Sequence, residues 1–254
     1  MSILGTRVLR TEDPKFLTTG GVYTEDVVDE QLTGAVHVFF ARSPIAHARI
    51  VGIDTEAVRD APGFVAVYTA ADLADLDVIK PMMPNMNAAM VQSLLACDVV
   101  RFVGDPVAIV VTEHAYQGED AVELIDVEYD PLPVVADMQS AAREEIILFP
   151  DAGTNVVARY GSAELDPDLF EGCDVVVTQT VANQRVAPAP MEMRAAAAVW
   201  GEDGRLTTWF PNQGAQGALR AVAGLLGIEP AQVRVITPDV GGAFGAKFGA
   251  DPEH

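Results

Sequence analysis

Val233-Arg234-Val235-Ile236-Thr237 runs through Pro238-Asp239-Val240 into Gly241-Gly242-Ala243-Phe244-Gly245-Ala246-Lys247. The first five residues are β-branched apart from Arg234, which favours a strand. The glycine-rich stretch lets backbone approach a ligand closely, because glycine has no side chain and tolerates positive φ. A loop of this kind at a strand end is where α/β folds place ligands, so the segment bears on fold and site together. The familiar glycine motifs do not fit. A Walker loop needs Gly-Lys-Ser/Thr, whereas Ala246 precedes Lys247 and Phe248 follows it, and the dinucleotide spacing is absent. Taken alone, the segment reads equally well as a glycine-rich turn. It lies too close to His254 for a following βαβ unit, so a site is expected to begin here without being completed in this chain.

Upstream of it, Gly214–Leu226 is a predicted helix with Gly227 as its stop. Ala195–Trp200 and Leu206–Phe210 read as strands around the turn Gly201-Glu202-Asp203-Gly204. Asp174–Asn183, with Val175-Val176-Val177, reads as the first strand of a domain covering 173–254. Residues 139–172 mix Pro, Gly, Asn and charges, which suits a linker. Residues 1–138 form the other domain, behind an extended arm with Gly20-Gly21. Its predicted strands are Leu32–Phe40, His47–Ile53, Phe64–Thr69, Pro106–Thr112 and Val127–Tyr129. Its predicted helices are Thr55–Asp60, one starting at Ala70–Leu76, and Glu113–Ile125. Strands alternating with helices imply an α/β domain. Pro81–Asn87 is irregular, and its methionines read as a loop packed on the domain.

Composition narrows the function. Half of the 254 residues are hydrophobic, enough for a core, and 37 acidic against 16 basic residues give a formal charge of −21. Such a charge opposes nucleic-acid phosphates and anionic membranes as partners. Cys97 and Cys173 make no C-x-x-C pair and no disulfide framework, which points to a reducing compartment. No signal peptide and no apolar run of about 18 residues is visible, so a cytoplasmic protein without a transmembrane segment is expected. His37, His47, His114 and His254 are scattered without a zinc pattern, and no directly ligating metal site is expected.

Two further constellations carry chemistry. In Asn183–Arg194, a buried Glu192 beside Arg185 or Arg194 would make a paired polar site, against a surface salt bridge on a proline-rich turn. In Phe210-Pro211-Asn212-Gln213-Gly214-Ala215-Gln216-Gly217-Ala218 a strand end meets a helix start, whose free N–H groups and dipole bind anions or oxo groups. Gln213 there can donate and accept, or serve as a polar cap.

Taken in order, these segments resemble the molybdenum-binding large subunit of the xanthine dehydrogenase and aldehyde oxidase family, most closely the aerobic carbon monoxide dehydrogenase type. Gly5–Asp13 resembles the opening arm, and Arg42–Ile50 and Val100–Ala108 resemble the a/b hammerhead domain. Asn183–Arg194, Gln213 and Val240–Lys247 resemble the start of the molybdopterin-binding domain. The fold implied is α/β (α+β): arm and hammerhead domain in 1–138, linker in 139–172, and the first part of the molybdopterin-binding domain in 173–254.

The resemblance implies oxidation of a small substrate with oxygen drawn from water, or of carbon monoxide. The cofactor implied is molybdenum held by molybdopterin, in the cytosine dinucleotide form. FAD and [2Fe-2S] clusters are implied on partners: a FAD-binding medium subunit and an iron–sulfur small subunit, beside the remainder of the large subunit. Gln213 would hydrogen-bond a molybdenum oxo group. Phe244 and Gly245 would lie beside molybdenum and pterin, with Gly241 and Gly242 permitting the approach. The catalytic base is expected outside this chain, which by itself would be inactive. Two departures stand out: Ala243 replaces the third of three glycines, and Phe248 stands where purine-oxidising members carry a glutamate, which disfavours a purine. A competing reading is a non-catalytic fragment or assembly module of such a complex.

Overall fold

A proline at the start of a helix gives up no hydrogen bond, and Pro14 opens the first one, α1 (Asp13–Thr18). The structure, a computed structural model, describes residues 4–5, 7–79, 83–160, 166, 168–249 and 251–254. Pro81 and Met82 of the expected methionine loop lie outside these. The chain divides into two compact units, Val36–Ala187 and a second that joins Met1–Ala35 to Pro188–His254.

The first unit contains β1 (His37–Arg42), β2 (Ala48–Asp54), β3 (Phe64–Thr69), β4 (Val99–Val100), β5 (Pro106–Thr112), α2 (Gly118–Val122), β6 (Asp126–Pro131) and α3 (Met138–Arg143). They build two antiparallel three-stranded sheets, ordered β1-β5-β3 and β4-β2-β6. β5 is central, and six of its seven residues are buried, which is why its sequence is apolar without alternation. Helix α2 packs on β1 and β5. Gly118 is needed there, because a Cβ would lie 2.0 Å from the Phe39 ring. Ala41, Ala48, Val100, Val107 and Ala108 form one core cluster, and Val58, Val110 and Ala121 a second.

Several elements differ from expectation. Glu113–Ile125 is not one helix but a 3-10 turn, Ala115–Gln117, followed by the short α2. The Gln117 side chain accepts the His114 amide and so caps the start of the 3-10 turn, while α2 begins without a side-chain cap. The expected linker holds α3 and a loop organised by Asn155, which donates to Ala141 and Ile146 carbonyls and accepts the Leu148 amide. Asp174–Asn183 is not a strand: it has no ladder partner among the described residues, and Val177 is 81% exposed.

The second unit contains β7 (Ala197–Trp200), β8 (Leu206–Trp209), α4 (Ala215–Leu226) and β9 (Val233–Ile236). β7 and β8 are antiparallel, while β8 and β9 are parallel, with α4 as the crossover between them. Ala218, Val222 and Ala223 of α4 pack with Leu206, Phe210 and Val233. Gly227 ends the helix in the left-handed conformation, as its position predicts. The arm is tied to this unit at Asp239, which pairs with Lys15 and exchanges backbone and side-chain bonds with Val22. No helix among the described residues is long and apolar enough to cross a membrane.

Candidate functional site

Parallel β8 and β9 end side by side, and their exits carry Gln213 and the glycine loop. Asn212 fixes the first exit. It is 6% exposed, its Nδ2 donates to Thr237 Oγ1 (2.7 Å) and the Phe210 carbonyl (3.1 Å), and its Oδ1 accepts the Gly214 amide (3.0 Å). The end of β8, the start of α4 and the end of β9 thus share one buried side chain.

Gln213 is held by the loop at three points. Its backbone N–H donates to the Lys247 carbonyl (2.9 Å), and its Oε1 accepts the amides of Gly245 (3.1 Å) and Lys247 (3.3 Å). Two backbone donors on one oxygen settle which end of the carboxamide is which. The exposed residue therefore presents its NH2 group, a pure donor, outward.

The loop turns at Ala243–Ala246, where the Ala246 amide donates to the Ala243 carbonyl (2.8 Å). Its central residues, Phe244 and Gly245, both have positive φ, 52° and 89°. This is the type I′ arrangement, which glycine and asparagine adopt readily and phenylalanine does not. The strained Phe244 displays its ring to solvent, 75% exposed. Ala243 is not in the left-handed region, so its methyl group adds no backbone strain. The amides of Gly242, Ala243 and Phe244 have no protein acceptor among the described residues. Together with the Gln213 NH2 these are donors left available on the loop and its neighbour, a set that suits an anionic or oxygen-rich group and cannot ligate a bare cation.

The segment Met191–Arg194, which bends at Met191 and Glu192, reaches both ends of this loop through the side chains of Glu192 and Arg194, while Met191 and Met193 are exposed. Glu192 Oε2 accepts the Gly241 amide (2.8 Å) and the Lys247 Nζ (2.9 Å), and its Oε1 accepts the Thr24 amide (3.3 Å). Lys247, whose side chain is 1% exposed, also donates to the Glu192 carbonyl (2.8 Å). Arg194 donates to the Ala246 carbonyl (3.1 Å) and to Asp251 (2.5 Å). The sequence placed Glu192 beside Arg185 or Arg194; the structure pairs it with Lys247, and Arg185 is exposed. Gly241 fits against Glu192 because it has no Cβ, which would lie 2.5 Å from the Glu192 Cβ. An open cavity of about 430 Å³ lies at this entry, lined by Tyr23, Met191, Met193 and Gly241 with the carboxyls of Glu25, Asp26 and Glu192. Those carboxyls disfavour an anion in the cavity itself. Nearby, the Lys15 hydrogen bond and the Val22 amide hold the Asp239 carboxyl below the usual carboxylate range.

The structure thus gathers Gln213, Gly241, Gly242, Phe244 and Gly245 on one loop and its cradle. Arg194, Lys247 and Asn212 were missed as organisers. Only Asn212, at a strand-to-helix junction, carried a signal, since asparagine there favours a cap.

Residues 18–133 match the family description "Aldehyde oxidase and xanthine dehydrogenase, a/b hammerhead domain", and residues 148–254 match "Molybdopterin cofactor-binding domain". The chain is 37% identical to the nicotine 6-hydroxylase large subunit of Paenarthrobacter nicotinovorans, over 99% of this chain and 31% of the relative. It is 36% identical to the carbon monoxide dehydrogenase large chain of Afipia carboxidovorans, over 97% and 32%. Quinoline 2-oxidoreductase from Pseudomonas putida 86 superposes with a TM-score of 0.83 at 36% identity, over 99% and 32%. The chain spans about a third of the length of these relatives.

Proposed function

Because the chain belongs to the xanthine dehydrogenase and aldehyde oxidase family and corresponds to the N-terminal part of a molybdenum hydroxylase large subunit, we infer that the donor set at Gln213 and the glycine loop receives a molybdenum–molybdopterin cofactor. The observation that carries this is the fixed carboxamide: both loop amides bond its oxygen, so its free NH2 faces outward, a donor like the unbonded loop amides. Such a donor set complements the anionic pterin cofactor. When bound, that cofactor supplies two-electron oxidation with oxygen drawn from water. Gln213 orients and stabilises it through the NH2 group. Gly242, Ala243 and Phe244 offer backbone donors, and Gly241 and Gly245 allow the loop its shape. The base that takes the substrate's or water's proton lies outside this chain.

The reading extends to a cytosine dinucleotide form of the cofactor and to electron transfer to a FAD-binding subunit and a [2Fe-2S] subunit, in a cytoplasmic complex. It also divides the chain at 1–138, 139–172 and 173–254, with limited proteolysis cutting first between Val135 and Cys173. The favoured substrate class is a non-purine N-heterocycle, an aldehyde or carbon monoxide rather than xanthine. Support comes from Phe248, which is 53% exposed and offers no acceptor to a heterocycle N–H. Support also comes from the nicotine- and quinoline-oxidising relatives.

The test is the complete complex with Gln213→Ala. Removing one donor is expected to lower kcat by on the order of a hundredfold. Full molybdenum content with an unchanged rate would reduce Gln213 to a helix cap. Xanthine emerging as the best substrate by kcat/KM in a dye-reduction assay would overturn the substrate class.

A further inference from the structure

A lysine with a 1% exposed side chain is unusual, because a charge is buried at a cost unless it is paired and bonded. Lys247 meets that condition with one residue, Glu192, through both its carboxylate and its backbone carbonyl. The same Lys247 holds Gln213 with its backbone, donating its amide to Oε1 and accepting the Gln213 amide at its carbonyl. Its side chain therefore addresses one partner and its main chain the other. Glu192 carries the connection further, to the Gly241 amide at the loop entry and to the Thr24 amide of the N-terminal arm. The loop has few other internal bonds: the Ala243–Ala246 turn is the one closed within it among the described residues. A glycine-rich backbone without such ties would sample many conformations.

We propose that Glu192 and Lys247 are positioning residues, a buried charged pin that sets the glycine loop and, through the Lys247 backbone, fixes the direction in which Gln213 offers its NH2 group. The pin acts through these groups and touches no substrate. The part concerning the cofactor rests on the function inferred above, whereas the part concerning the loop rests on geometry alone. A surface salt bridge would have little such influence, since exposed pairs are weakly held. Here the Lys247 side chain is closed off from water, Glu192 is only 10% exposed where it borders the cavity, and the three contacts its carboxylate accepts tie the loop entry to the arm and to Lys247.

The experiment is hydrogen exchange, followed by mass spectrometry, on the full-length protein that carries this chain. Peptides covering Val240–Phe248 are compared with a reference peptide over β8, Leu206–Phe210. Lys247→Met is measured together with the charge-neutral double variant Glu192→Gln/Lys247→Met, which leaves no unpaired buried charge and so keeps the fold. In both, the loop peptide should exchange about tenfold faster or more while the reference peptide is unchanged, as for a local opening. In the same samples, molybdenum per chain should fall in step with the loop's protection. If the double variant restores the loop's protection to that of the parent, the pair merely neutralises itself, and the positioning role is wrong. Equal acceleration of both peptides in both variants would also overturn it, since the effect would then be general loss of stability. If the unsubstituted protein binds no molybdenum, the cofactor reading fails by itself, and the exchange result still decides the pin.

Discussion

The glycine loop and the valine run make opposite points about order. Val175–Val181 holds four valines and two threonines, the composition of a strand, yet it forms no ladder among the described residues and its valines stand exposed. Gly241–Lys247 holds three glycines and should be costly to order, yet three side chains from two distant segments, Glu192 and Arg194 on one and Gln213 on the other, hold it at both ends and in the middle. β5 supplies the control: Pro106–Thr112 holds three valines, an isoleucine and a threonine, a comparable β-branched content, and it is buried between two antiparallel neighbours. Propensity states what a segment could do, and the availability of partners decides whether it does.

The strongest way to break this comparison is to take away the loop's central partner. Glu192→Ala leaves Lys247 buried without a counter-charge and frees the amides of Gly241 and Thr24. Urea unfolding of the full-length protein should show a loss of about 3–5 kcal/mol. A loss below 1 kcal/mol would mean the pin contributes no more than a surface pair. Gly241→Ala comes next. Its new Cβ would lie 2.5 Å from the Glu192 Cβ, so one of the two must move, at about 1–3 kcal/mol. Phe244→Gly should act in the other direction, since it relieves a left-handed phenylalanine, and raise stability by about 1 kcal/mol. A thermal melt that shows Phe244→Gly to be destabilising would mean the exposed ring has a packing partner in the whole protein.

Acid should loosen the arm at the loop's approach. The folded Asp239 carboxyl titrates below the ordinary aspartate value of 3.8, with the Lys15 hydrogen bond as the largest cause. Its contribution is therefore fully present above that value and fades as pH falls through the lower folded one. Faster exchange of the Val22 amide on acidification, after correction for the intrinsic rate, checks this; Asp239→Asn should abolish the pH step. The smallest effect is expected in the valine run. Val177→Ser should change the stability of this unit by no more than about 0.5 kcal/mol, because the side chain is already in water. A larger loss in the complete subunit than in this chain would locate the run's missing partner in the rest of the protein.

Much of the architecture was legible because its signals are local. α4 shows helical spacing and a terminal glycine, and β3, β5 and β9 show β-branched runs bounded by turns. That Gln213 and the glycine loop each follow a strand was legible, and the structure bonds them to each other. The direction of the Gln213 amide was not, since it depends on Lys247, whose amide and carbonyl carry no sequence signal. Nor was the partner of Glu192: Arg194 stands two residues away but pairs with Asp251, and the true partner lies 55 residues on. Glu113–Ile125 misled because helical spacing continues across Gln117, where the 3-10 turn gives way to α2. The arm was readable only as extended chain, as its ties to Glu192 and Asp239 are made over very long separations.

Those separations have a kinetic side. The Thr24 contact with Glu192 closes 168 residues of chain, and the Val22 contact with Asp239 closes 217. Closure entropy grows only slowly with loop length, so the finished tie is little weakened by this distance. Its timing is another matter, because contacts between distant residues form late. During synthesis, which proceeds from the N-terminus, the arm emerges before the rest of this chain and must wait for nearly all of it before its acceptors exist. The first unit can fold meanwhile on contacts of its own. The last event in assembling the candidate site is therefore the return of residues made long before their acceptors, and a nascent chain halted before Glu192 would hold its arm unanchored.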